Sequence, residues 1–151
     1  MIEAKLIKFM VQFNRLKIRQ YKPSDKEVVW QLHEMGLAVI GAKATHGSPW
    51  DKDMDDVEGS YFHGGDFLVA ELNGKVVAMG GFKKIDENTV EIKRMRVYPD
   101  FQRRGIGQAI LEELEKRAKI MGYKKATLLA DEVNTNAHDF YKKNNYKESS
   151  R

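Results

Sequence analysis

Two apolar, partly β-branched runs, Phe67 to Leu72 and Lys75 to Phe82, meet at Asn73-Gly74. That dipeptide is the strongest short hairpin signal a sequence carries, so two antiparallel strands are expected here. A third strand, Thr89 to Tyr98, follows the turn Asp86-Glu87-Asn88 and is closed by Pro99, which cannot continue a ladder. Upstream, Arg15 to Tyr21 alternates basic and apolar residues, which predicts a first strand ended by Pro23-Ser24. Ser24 and Glu27 stand at capping-box spacing, and Val28, Val29, Leu32 and Met35 recur at helical intervals, so a helix is expected to about Gly36. Residues 41–65 are polar and rich in Gly, Asp and His, with Trp50, Tyr61 and Phe62 scattered among them. Loops and one short helix are expected there, with those aromatics lining an acceptor pocket or anchoring the loop.

Further on, Ile106, Ile110, Leu114, Ala118 and Met121 recur at spacings of three and four, with Glu112, Glu113, Glu115 and Lys116 opposite them. This is the pattern of an amphipathic helix, and Gly122 ends it. Ala126 to Ala130 predicts a compact strand, Asn134 to Lys143 a final helix, and Tyr146 to Ser149 a last short strand. The order β, α, β, β, β, α, β, α, β describes an α/β domain of the α+β type, a mixed sheet with helices on its faces.

Composition narrows the function classes. At 151 residues the chain suits one domain, expected over 14–151 after an N-terminal extension of residues 1–13. It contains no cysteine, which removes disulfides, thiolate metal sites and cysteine nucleophiles. Four histidines, scattered along the chain, lack metal-ligand spacing, so no metal is expected. The net charge of +4 is spread among acidic residues rather than gathered in a stripe, so no nucleic-acid partner is expected. No apolar run is long enough to cross a bilayer, and the opening segment lacks the features of a secretory signal. A cytoplasmic protein without a membrane partner is the expectation.

The informative segment is Val97-Tyr98-Pro99-Asp100-Phe101-Gln102-Arg103-Arg104-Gly105-Ile106-Gly107-Gln108, where a strand, a glycine loop and a helix start coincide. The first turn of a helix has N–H groups without internal partners and the positive end of the macrodipole, which suits phosphate. Gly105 and Gly107 would let a diphosphate reach those amides, with Arg103 and Arg104 alongside. A Rossmann fingerprint is not met, since Ile110 stands where a third small residue belongs, and the Gly-Lys-Ser/Thr of a P-loop is absent. Antiparallel strands before the loop argue against both.

Gln102-Arg103-Arg104-Gly105-Ile106-Gly107 resembles the Q/R-x-x-G-x-G/A signature of the GNAT superfamily of N-acetyltransferases. Asn134, Ala137, Phe140 and Tyr141 resemble its later N-x-x-A-x-x-F-Y pattern, and the element order agrees from about Arg15 to Tyr146. The resemblance implies a mainly antiparallel sheet whose fourth and fifth strands splay apart around acetyl-coenzyme A (acetyl-CoA) as cosubstrate. Met95, Arg96 and Val97 would contact its pantetheine arm and the thioester oxygen through the backbone. Gln102, Arg103, Arg104, Gly105, Ile106, Gly107 and Gln108 would hold the pyrophosphate, and Asn134 the other side. Tyr141 resembles the family's general acid, and Glu91 is the candidate base, with His46 and His63 as alternatives. His33 and His138 are expected to face solvent. The expected reaction is acetyl transfer to a primary amine of a small molecule or peptide; the competing reading is a non-catalytic coenzyme-A-binding regulatory module. Asn145-Tyr146 replaces the family's common Gly-Phe, a change that Asn tolerates in a left-handed cap. Similar proteins continue past the position of Arg151 into one further strand, so a partner subunit, as in a homodimer, is expected to cover the fifth strand.

Overall fold

The computed structural model describes residues 15–129 and 135–148. Strand β1 (Leu16–Gln20) leads through one 3-10 turn, Pro23–Asp25, into helix α1 (Lys26–Val39). Two short helices, α2 (Lys52–Asp55) and α3 (Val57–Tyr61), precede strands β2 (Asp66–Leu72), β3 (Lys75–Lys84) and β4 (Thr89–Val97). A second 3-10 turn, Pro99–Phe101, opens onto α4 (Ile106–Ile120), followed by β5 (Lys125–Leu128) and α5 (Thr135–Lys143). The strands lie side by side in chain order, antiparallel from β1 to β4 and parallel between β4 and β5. Helix α4 is therefore the crossover that a parallel pair requires. No helix among the described residues is long and apolar enough to cross a membrane.

Asn73 and Gly74 both take positive φ, 54° and 82°, the condition for the tight turn that joins β2 to β3. The Ser24–Glu27 capping box does not form. Arg19 of β1 grips the Asp25 carboxylate at 2.7 and 2.8 Å, and the same carboxylate accepts the Lys22 N–H at 2.9 Å, so Asp25 opens the helix and Ser24 is left exposed. Helix α1 also runs past Gly36 to Val39; its stop is Gly41, left-handed at φ 73°, whose N–H donates to Ala38 O. Two short helices form within 41–65 rather than one. The strand expected at Tyr146 is not formed over 146–148, and Ser149 lies outside the described residues, as do Ala130, Asn134 and the N-terminal segment.

Because helices cover both faces, β2 and β3 read as continuous apolar runs instead of alternating. On one face Leu68, Ala70, Phe82, Val90 and Ile92 pack against Ile110, Leu111 and Leu114 of α4. On the other, Val69, Phe67, Val76 and Met79 pack against Val29 and Leu32 of α1 and against Met54, Val57 and Tyr61. Each such fully buried aliphatic side chain stabilises the fold by roughly 1.5–3 kcal/mol relative to exposure.

Candidate active site

Strands β4 and β5, the last pair of the sheet, are of unequal length and part. Pairing of β4 with β5 runs from Thr89↔Lys125 to Ile92↔Leu128; β5 then ends while β4 continues to Val97. In the same stretch the β3 register jumps from Gly81↔Lys93 to Met79↔Arg96, which leaves one extra residue on β4. That is a bulge, and Arg94 takes a left-handed φ of 59° within it. Gly80 makes room for it, since a Cβ there would lie 2.5 Å from Met95 Sδ. As a result Met95 joins the α4-side core, whereas the Arg94 and Arg96 side chains turn toward α1. The Tyr98 N–H donates to Val77 O on β3 at 2.8 Å, so by alternation the amides of Met95 and Val97 face the gap left by β5.

The loop after β4 opens on the same gap. Arg103 and Gly105 are both left-handed, at φ 62° and 81°. Gly105 is the N-cap of α4, and no side chain caps that helix. Its first-turn N–H groups, up to Gln108, therefore lack partners among the described residues, the first backbone-bonded amide being Ala109 N–H to Gly105 O at 3.0 Å. A Cβ on Gly107 would meet Val97 and Phe140 only at 3.4 Å or more, so packing does not require glycine there. The position stays open toward the gap.

Gap and loop together form a cavity of about 610 Å³. Met95, Arg96, Val97, Gln102, Arg103, Gly105, Gly107, Gln108 and Tyr141 all line it, so the structure brings together most of the residues singled out in the sequence. Two residues of the glycine loop do not line it: Ile106 is buried in the α4-side core, and Arg104 stands over the Phe101 ring at 5.4 Å. Asn134 lies outside the described residues. Glu91 sits on the paired half of β4, opposite Thr127, with Lys93 Nζ 3.5 Å away, and does not line the cavity. Neither does His46, which stacks on Trp30 at 3.7 Å and bonds Asp55, nor the exposed His63.

Burial pushes the Tyr141 hydroxyl up to about 12, against an opposing pull from the Arg96 charge. It is therefore fully protonated at neutral pH and available as a donor.

The far wall is a part that pattern reading missed. Leu32, Met35, Gly36 and Val39 of α1 line the cavity, and the Arg96 guanidinium lies against Gly36. Beside it, His33 is not solvent-facing as expected but fully buried, its Nε2 2.6 Å from Asp51 Oδ1. His138 is half-buried rather than open to solvent. Burial lowers the His33 pKa more than Asp51 raises it, and Arg94 and Arg96 push the same way, so the ring is neutral and donates to the carboxylate. Asp53 accepts Arg94 at 2.8 and 3.0 Å and the Tyr61 hydroxyl at 2.6 Å. Burial would raise the Asp53 carboxyl, but those bonds hold it down at about 2.

Comparison with known proteins agrees with this fold. Residues 31–146 match the acetyltransferase (GNAT) family. An acetyltransferase of Pectobacterium atrosepticum is 33% identical over 134 residues, covering 87% of each chain, and one of Yersinia enterocolitica is 32% identical over the same span. A solved GNAT-family acetyltransferase of Staphylococcus aureus superposes with a TM-score of 0.82 at 23% identity, covering 90% of this chain and 87% of its own. The chain belongs to the GNAT acetyltransferase family. It is an acyltransferase, and acetyl is the group its relatives are named for moving.

Proposed function

We propose that the protein transfers the acetyl group of acetyl-CoA to a primary amine of a small molecule or peptide. The observation that carries this reading is the junction of the unpaired end of β4 with an uncapped helix start in one cavity. The residues fit the cosubstrate. Free first-turn amides of α4, with Arg103 beside them, suit a pyrophosphate. The gap-facing amides of Met95 and Val97 suit an extended amide-bearing arm and donate toward the thioester oxygen, where negative charge develops; fixed donors of this kind typically contribute about 10² to 10³ in rate.

In the reaction the amine nitrogen forms a bond to the acetyl carbon, the carbon–sulfur bond breaks, and the amine gives up one proton. Tyr141 donates a proton to the departing sulfur. Lysine-like amines are mostly protonated at neutral pH, so deprotonation precedes attack. The cavity walls among the described residues carry no carboxylate, and we assign that step to water, with Glu91 the nearest proposed end of the route.

The test is calorimetry with acetyl-CoA followed by a thiol-release assay against amino acids, polyamines, aminoglycosides and peptides. Micromolar binding and release with at least one class are expected. Tyr141→Phe should keep the affinity and cut kcat about 10²-fold or more; unchanged turnover removes Tyr141 from the reaction. Tight binding without release for every acceptor would instead support the non-catalytic module.

A further inference from the structure

Among the cations at the cavity, Arg96 has an unusual position. Its Nε is buried without a hydrogen-bond partner, and Nη1 reaches only the neighbouring Met95 carbonyl at 3.0 Å. Among the described residues no Asp or Glu lines the cavity with it. The acidic groups nearby are already engaged: Asp53 by Arg94 and Tyr61, Asp51 by His33 and the Thr45 N–H. A half-buried guanidinium without a counter-charge among the described residues is costly to keep, and burial together with the Arg94 charge disfavours its protonated form.

The fold nonetheless makes room for it. A Cβ on Gly36 would collide with Arg96 Nε and Cδ, so any side chain at 36 would force the guanidinium out of this position. Glycine inside a helix costs roughly 0.5–1 kcal/mol relative to alanine, and α1 carries it in its interior at the point where the guanidinium lies. Around this charge, Leu32, Met35 and Val39 give an apolar wall.

We propose that Arg96 is a specificity-determining residue that pairs with a carboxylate on the acceptor, so the protein acetylates amines that also carry a carboxylate, as amino acids do. The inference rests on the acetyl-transfer reading and names its substrate class. A planar guanidinium presents paired donors that match the two oxygens of a carboxylate, and the pairing would supply the missing counter-charge. The same charge disfavours polyamines, whose extra ammonium groups would approach it unshielded.

Acceptor pairs that differ only in the carboxylate test this: leucine, β-alanine and 4-aminobutyrate, each against its amide, with putrescine as a cation control. At least one acid should exceed its amide by tenfold or more in kcat/KM. Arg96→Gln should bring that ratio near one. Arg96→Lys, which keeps the charge but not the fork, should fall between. If Arg96 acted only through its charge on Tyr141, Arg96→Gln would slow acids and amides alike and Arg96→Lys would slow neither; that result, or acids used no better than amides by the wild type, overturns the proposal. A binding arm is independent of turnover: the N-acetylated acid should bind the coenzyme-A-loaded protein at least tenfold more tightly than its amide, and lose that advantage in Arg96→Gln. Failure to bind acetyl-CoA at all would refute the acetyl-transfer reading, an outcome separate from the acid-to-amide ratio.

Discussion

The two faces of the sheet are held by different forces. Toward α4 the contacts are mostly aliphatic and aromatic, with one partly buried ion pair among them, Asp66 of β2 to Arg117 of α4 at 3.1 Å. Toward α1 the apolar cluster is bordered by His33, Asp51 and Asp53, each buried and each bonded to a partner from a different part of the chain. Apolar packing is non-directional and fixes the distance of α4 from the sheet. Ion pairs and short hydrogen bonds are directional, and here they tie residues 45–61 to β4 and α1: Arg94 holds both Asp53 and the Trp50 carbonyl, the latter at 2.7 Å. The proposed coenzyme grip thus stands on the apolar side and the proposed acceptor wall on the bonded side. A difference of this kind suits a fixed cosubstrate opposite a recognised one.

If that contrast is right, one substitution on each face separates them. Asp53→Ala leaves the Arg94 guanidinium without its counter-charge and the Tyr61 hydroxyl without its acceptor, and removing one member of a buried pair typically costs about 3–5 kcal/mol. Chemical denaturation should show that loss. Leu114→Ala, on the apolar face, should cost about 3 kcal/mol through lost burial and a cavity. The distinction lies in pH: the Leu114→Ala penalty should be the same at pH 7 and pH 3, whereas that of Asp53→Ala should shrink as the wild-type carboxyl protonates. Parallel behaviour of the two would erase the contrast.

Acid should act on the α1 face first. The folded pKa of His33 lies below its ordinary value of 6.5, so the unfolded chain takes up the proton first. Its contribution is therefore present above about pH 6.5 and is lost as pH falls below that, with a slope of at most about 1.4 kcal/mol per pH unit. A second loss follows between 3.8 and about 2, where the depressed Asp53 carboxyl protonates; it is worth about 2 kcal/mol. Thermal melts between pH 8 and 5 measure the first step. A melting temperature flat across that range would mean that folding does not lower the His33 pKa.

Legibility in the sequence followed the range of the interaction. The hairpin at Asn73-Gly74, the amphipathic face of α4 and the glycine loop depend on neighbours within a few residues, and all three were readable. Capping at Ser24 failed because Arg19, on another strand, recruits Asp25. His33 looked exposed because a polar residue on a helix normally is; its partner, Asp51, stands in a loop with no periodicity to reveal it. Arg96 was legible as a backbone contact of β4 but not as a side chain in a cavity wall, since the bulge at Arg94 decides which way it turns. In retrospect Gly36, breaking a helical pattern without ending it, was the available sign of a close approach.

The smallest expected effect is at Trp50. Its side chain is 85% exposed and does not line the cavity, and its bond to Arg94 is made by the backbone carbonyl, which alanine retains. Trp50→Ala should therefore change stability by less than about 0.5 kcal/mol. It should also leave the acid-to-amide preference assigned to Arg96 unaltered. This variant probes the boundary of the bonded face: the network uses the chain path through Trp50, not the indole. A drop in kcat/KM for every acceptor, with stability intact, would mean that the indole meets the acceptor outside the cavity walls and that recognition extends from α1 across the 45–61 segment. A drop in stability would mean instead that the indole, despite its exposure, helps hold that segment against Arg94.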